Sequence, residues 1–207
     1  MPYTKEHTAR TRKRIVEAAA EHFKSQGYDA ARIDDVMAAA GLTRGGFYAH
    51  FSSKENLFAA AVDRTFVRMR EFLDMHLQRR AGPEWFRKAT NFCLSRVHRD
   101  NLVEGCPLAG ISVDVSRAGD EVRSVYTRGL HDMTEYFEQF VDDDLPEKEK
   151  EIQAFGMMAV MVGTVTMARG VNDTEFSDRM LKLGRDYAER AYAARHGVTG
   201  KDADRAA

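Results

Sequence analysis

Proline falls only at positions 2, 83, 107 and 146 of the 207 residues, and the long intervals between are filled by alanine, leucine, methionine, glutamate and arginine. Proline removes a helical hydrogen bond and clashes with the preceding turn, so its scarcity leaves those intervals open to helix. No sustained Val/Ile/Thr alternation flanked by hairpin turns appears. The pattern predicts an all-α chain.

Helices are expected over residues 8–26, 33–40 and 43–50, then from Ser52 to about 80, over 84–99, a short one led into by the connection 100–111, over 118–142, another opened by the charged connector DDDLPEKEKE and continuing through the apolar stretch 151–170, and over 174–195. Gly27 and Gly41 are natural stops for the first two. Thr43 is a candidate cap for the third, and Ser52 with Glu55 forms an S-x-x-E capping box for the fourth. This divides the chain into a domain at 1–54, a larger helical body at 55–197 and a polar tail at 198–207.

Charge is unevenly spread. Residues 1–54 hold nine Lys/Arg against six Asp/Glu, whereas the whole chain carries a formal net charge of −1. The amino end is therefore the part suited to a polyanion. Its second and third helices are short and joined by AGLT, the spacing of a helix-turn-helix, whose second member enters the DNA major groove. In that member Gly45 and Gly46 stand side by side. Each costs a helix about 1 kcal/mol relative to alanine. Close approach to DNA explains them, and leaves Arg44 free to reach a guanine edge. Tyr48, His50 and Lys54 are candidates for phosphate oxygens, and Lys5, Arg10, Arg12, Lys13 and Arg14 for a basic arm. Phe47 and Phe51 would pin the short helix to the first.

The segment from Thr11 to Val62 resembles the amino-terminal domain of the TetR family of bacterial transcription regulators. The likeness rests on AAxxxF…G at 18–27, AGLTRGGFYAHF at 40–51 and SKENL at 53–57. It implies a homodimer that binds a palindromic double-stranded operator and is released by a small effector held in the carboxy-terminal body. By position it assigns operator contacts to Thr43, Arg44, Gly45, Tyr48, His50 and Lys54. The family's Ser or Thr cap on the second helix is replaced by Arg32, which cannot accept amide hydrogen bonds. Two compensations are open: Asp35 serves the first turn through its charge, or Arg32 makes a phosphate contact of its own.

In the body, Ile152, Phe155, Gly156, Ala159, Val162, Gly163 and Thr166 recur at helical spacing and suit a two-fold helical seam, Gly156 and Gly163 permitting close approach. The alternative is ordinary core. Candidate effector-pocket residues are Trp85, Phe86, His98, Cys106, Tyr126, Met133, Phe137, Met158 and Met161, with Phe92 and Tyr136 beside them. Their chemistry favours a hydrophobic or aromatic effector. Cys106, between Gly105 and Pro107, is either a thiol sensor of electrophiles or oxidants or a structural cysteine. Cys93 reads as core, and the two cysteines make neither a disulfide framework nor a metal cluster.

Seven scattered histidines include no H-E-x-x-H, and no nucleophile elbow, P-loop or dinucleotide fingerprint occurs. Neither an enzyme nor a cofactor or metal site is expected. A helical binding module without DNA contact would leave the paired glycines and basic arm unexplained. The start lacks a signal-peptide core and no run approaches 18 apolar residues, so a cytoplasmic protein without a membrane span is expected.

Overall fold

The computed structural model describes residues 4–76, 82–141 and 144–195, and among these every regular element is helical. The elements are α1 (Lys5–Gln26), α2 (Ile33–Ala39), a 3-10 helix (Arg44–Ala49), α3 (Lys54–His76), α4 (Pro83–Cys93), α5 (Arg96–Asp100), α6 (Leu108–Arg117), α7 (Asp120–Glu138), α8 (Glu147–Gly170) and α9 (Thr174–Arg195). The expected helix end near 80 and the tail at 198–207 lie outside the described residues. Two compact units emerge: residues up to Phe72 with Gly110–His131, and Leu73–Ala109 with the chain from Asp132 onward.

The first unit has an aromatic and aliphatic core of Ile15, Phe23, Met37, Phe47, Phe51, Leu57 and Phe58, all fully buried. The Phe23 and Phe58 rings meet edge to face at 4.8 Å, a geometry favoured by the ring quadrupoles. Thr4 caps α1 by accepting from the His7 amide, which starts that helix three residues before the expected position. The α6–α7 corner is tied to the loop after α1 and to the start of α3 by bonds between backbone amides and carboxylates. Asp114 accepts from the Tyr28 amide at 2.8 Å, and Glu55 accepts from the Gly119 amide at 2.7 Å. Thus the expected S-x-x-E box does not form. Ser53, not Ser52, caps α3, its hydroxyl accepting from the Asn56 amide at 3.0 Å.

In the second unit, the expected single helix over 84–99 is two. Ser95 caps α5 by accepting from the His98 amide, and the Leu94–Ser95 break separates α4 from α5. Trp85 stacks on Phe140 with centroids 4.3 Å apart and planes 4° from parallel. Helices α8 and α9 pack on each other, and Met157, Met158, Met161, Val165 and Leu181 on them are buried. Gly184 of α9 lies close against α8: a Cβ there would stand 2.7 Å from Thr164 Oγ1. Gly156 and Gly163, expected to admit a neighbouring helix, have nothing within 4 Å of their Cβ positions, so they admit none among the described residues of the chain. Helix α8 is long and apolar enough, by length and composition, to cross a membrane, a correction to the expectation that no such run exists. A buried methionine face accounts for part of that apolarity, 39% of the apolar window being buried.

Candidate nucleic-acid interface

Helix α2 ends in a Schellman motif. The Leu42 amide donates to Met37 carbonyl at 2.8 Å and the Gly41 amide to Ala38 carbonyl at 2.9 Å, with Gly41 at φ 67°. Glycine takes this left-handed conformation without a Cβ penalty. The Arg14 guanidinium donates to Ala40 carbonyl and fills the space where a Gly41 side chain would stand. Arg14 is therefore a helix cap, and Arg12 lies 4.7 Å over the Phe51 ring. Both have structural duties beside any part in a basic arm.

The chain after Gly41 turns at once into the expected third helix, but in 3-10 form. The Gly46 amide donates to Thr43 carbonyl and the His50 amide to Phe47 carbonyl, each three residues back. Adjacent glycines weaken the α-helical alternative. Thr43 makes no side-chain cap bond. Buried Phe47 and Phe51, ring centroids 5.9 Å apart, hold the segment to the core. Thr43, Arg44, Gly45 and Tyr48 are consequently exposed, and Gly46, His50 and Lys54 half-buried.

Neither glycine of the pair is demanded by the chain itself. Their φ angles are not positive. A Cβ on Gly45 would meet nothing within 4 Å, and one on Gly46 would make an ordinary 3.7 Å contact with Met37 Cε. Lys54 is held ready, its ammonium 4.5 Å over the Tyr28 ring and donating to Asp29 carbonyl. Arg32 stands at the N-cap of α2 without a side-chain cap bond, and Asp34 and Asp35 occupy that helix's first turn. Asp34, for which the sequence offers no signal, accepts from Arg44 Nη1 at 3.1 Å.

The candidate effector residues are more dispersed. Tyr126 belongs to the first unit, hydrogen-bonded to Ser112 at 2.7 Å and edge-on to Phe66. The other eight lie in the second. Trp85 and Phe137 pack together edge to face, and Met133, Met158 and Met161 are buried. Phe86 stacks on Tyr192 at 4.4 Å and lines a cleft of about 170 Å³ with Ile152, Gln153 and Met157. Cys106 is buried. Burial pushes its thiol above the usual range, although the Ala109 and Leu108 amides and Arg169 pull the other way. Cys93, expected in the core, is only half-buried, and its thiol is pushed up by desolvation and then by Cys106.

His98 packs against Phe92 with ring centroids 5.1 Å apart. Burial, and then the Arg169 charge, lower its pKa from 6.5 to about 4. The folded state therefore holds it neutral while the unfolded chain takes up a proton below pH 6.5, so stability is full above that pH and falls toward pH 4. The loss is on the order of 3 kcal/mol. Denaturant titrations across pH 7 to 4 should show a slope in wild type that His98→Gln reduces by that amount.

Residues 15–61 match the family of bacterial regulatory proteins described as the tetR family. The chain is 29% identical over 130 residues to the HTH-type transcriptional repressor DhaR of Mycobacterium sp. (strain GP1), covering 63% of this chain and 61% of that one. It is 40% identical over 60 residues to the HTH-type transcriptional regulator TtgR of Pseudomonas putida, 29% of each. The matches thus span less than two thirds of these relatives' own lengths. A TetR transcriptional regulator from Chloroflexus aurantiacus J-10-FL has the same fold, with TM-score 0.72 at 23% identity over 91% of this chain and 96% of that one. In sequence through its amino-terminal helices, and in fold over nearly all its length, the chain matches the TetR family of helix-turn-helix transcriptional regulators.

Proposed function

We propose that the protein is a cytoplasmic, ligand-responsive transcriptional repressor that binds a palindromic DNA operator as a homodimer. The observation that carries this reading is the open space before Gly45, beside a Gly46 whose Cβ position would make only an ordinary 3.7 Å contact. Residues that cost helical stability and serve nothing inside the chain answer to something outside it. A major-groove surface brought close to the backbone is what the exposed Thr43, Arg44, Tyr48 and flanking Lys54 suit. Two such segments, related by a two-fold axis and about 34 Å apart, would read two half-sites one helical turn apart. The α8–α9 face supplies the seam. Ile152, Phe155, Ala159 and Thr166 are exposed, and Gly156, Val162 and Gly163 half-exposed. The aromatic and methionine side chains of the second unit favour a hydrophobic effector. The raised thiol of buried Cys106 gives thiolate sensing no support, because the thiolate is the reactive form.

The test is selection of bound duplexes from a randomised library by the purified protein, followed by titration of the recovered sequence at several salt concentrations. Recovery of a palindrome with strongly salt-dependent affinity is expected. Arg44→Ala should weaken binding to that operator about 10- to 100-fold, the value of one bidentate base contact, and weaken binding to random DNA much less. Equal loss on both would remove Arg44 from base reading.

A further inference from the structure

Asp34 is an acidic side chain placed where a polyanion is expected to dock, between two arginines. Its Oδ2 accepts from Arg44 Nη1 at 3.1 Å and lies 3.8 Å from Arg32 Nη2. Its Oδ1 is buried and has no hydrogen-bond partner among the described residues. One oxygen alone therefore meets the guanidinium groups. A carboxylate engaging both of its oxygens would take up a bidentate edge of one arginine. A single oxygen holds Arg44 at one nitrogen and leaves its other donors outward. Asp34 sits in the first turn of α2, where a negative charge is favoured, its side chain 37% exposed and that of Arg44 66%. The next helix residues that face inward, Val36 and Met37, are fully buried.

We propose that Asp34 is a positioning and specificity-determining residue for DNA recognition: it aims Arg44 at a base edge and, by its charge, lowers the attraction of Arg32 and Arg44 for phosphates of any sequence. The inference rests on the DNA-binding reading above. An acidic residue at this place weakens every complex, but weakens the non-specific ones more. In those, Arg44 has only phosphates to gain; at the operator its guanidinium is already oriented and loses less freedom on binding.

The test uses the full-length protein, the duplex recovered by wild-type selection, single-base variants of it and a random-sequence duplex. The base read by Arg44 is the position where Arg44→Ala loses discrimination. Asp34→Ala should bind random DNA several-fold more tightly, with a salt slope steeper by about one unit, and should lose roughly tenfold in discrimination at that base. Asp34→Asn keeps an acceptor but not the charge. It should gain random-DNA affinity as the alanine variant does, yet retain most of the discrimination. In the Arg44→Ala background, Asp34→Ala should cost no further discrimination. Structural damage would instead weaken binding to every duplex together, and that result, or wild-type discrimination in Asp34→Ala, overturns the proposal. If wild-type protein selects no sequence at all, it is the DNA-binding reading that fails, and this inference with it.

Discussion

Phe155→Glu should leave the protein monomeric at micromolar concentration and weaken operator binding at least a hundredfold. Phe155 is 62% exposed on α8, and on the neighbouring helix Leu183 is 56% and Tyr187 63% exposed. Burial of one such phenylalanine contributes about 2 kcal/mol, and an unpaired carboxylate brought into an apolar seam adds a penalty of several more. In a two-fold interface each substitution occurs twice. The combined loss, on the order of 6 kcal/mol or more, exceeds what a micromolar dimer can absorb. Operator binding falls with it, because a single subunit engages one half-site. The fold itself should persist, since the core of the second unit is built from the opposite faces of α8 and α9, where Met157, Met161, Val165 and Leu181 are buried. Sedimentation equilibrium and a thermal melt separate the two effects. A variant that stays dimeric would place the seam on another surface.

The features that could be read from the sequence are those set by neighbours within a few residues. Gly41 signals the end of α2 because a left-handed residue at that place depends only on the local chain, and Gly27 likewise follows α1 at φ 80°. The spacing of Ile15, Ala19 and Phe23 points to a buried face, and all three are buried. What escaped was decided at long range. Ser52 and Glu55 have the spacing of a capping box, but the Glu55 carboxylate is drawn to the Gly119 amide, 64 residues away, and Ser53 takes the cap. Arg14 reads as one more cation of a basic arm until the fold brings Ala40 carbonyl to it. The Asp34–Arg44 pair is invisible in the sequence for the same reason: its two members lie across a turn whose geometry only the folded chain defines. The break at Ser95 is different. Its cap lies in the sequence, since a serine three residues before His98 is an ordinary N-cap, and apolar periodicity across 84–99 masks it. Among the site residues, exposure of Thr43, Arg44 and Tyr48 follows from the burial of Phe47 and Phe51. The effector residues share composition but no local pattern, so sequence could name the types without gathering them.

Gly105→Ala should destabilise the protein by about 3 kcal/mol or more, although it adds a single methyl group. A Cβ at Gly105 would stand 2.1 Å from His98 carbonyl oxygen and 2.2 Å from Asn101 carbonyl oxygen. These are backbone atoms at the end of α5 and cannot swing aside as a side chain would. The same turn is tied from several directions. The Gly105 amide donates to Asn101 carbonyl at 2.8 Å, while Arg169 from α8 donates to the carbonyls of Arg99, Cys106 and His98 at 2.8 to 3.2 Å. Arg99, itself buried, pairs with Asp178 at 2.9 Å and with Ser177 at 2.7 Å. To admit the methyl group the turn must open, which releases the Arg169 bonds and leaves carbonyls with reduced pairing. Overpacking alone costs about 1–3 kcal/mol, and each charge-assisted bond lost adds roughly 1.5–3. For a chain of this length the melting temperature should fall by about 10 °C. Gly170→Ala is the matched control, because nothing lies within 4 Å of its Cβ position and its φ is not positive. It should leave the melt unchanged or raise it slightly. Equal melts for the two variants would mean that the corner after α5 yields at no cost and that Arg169 does not hold it shut.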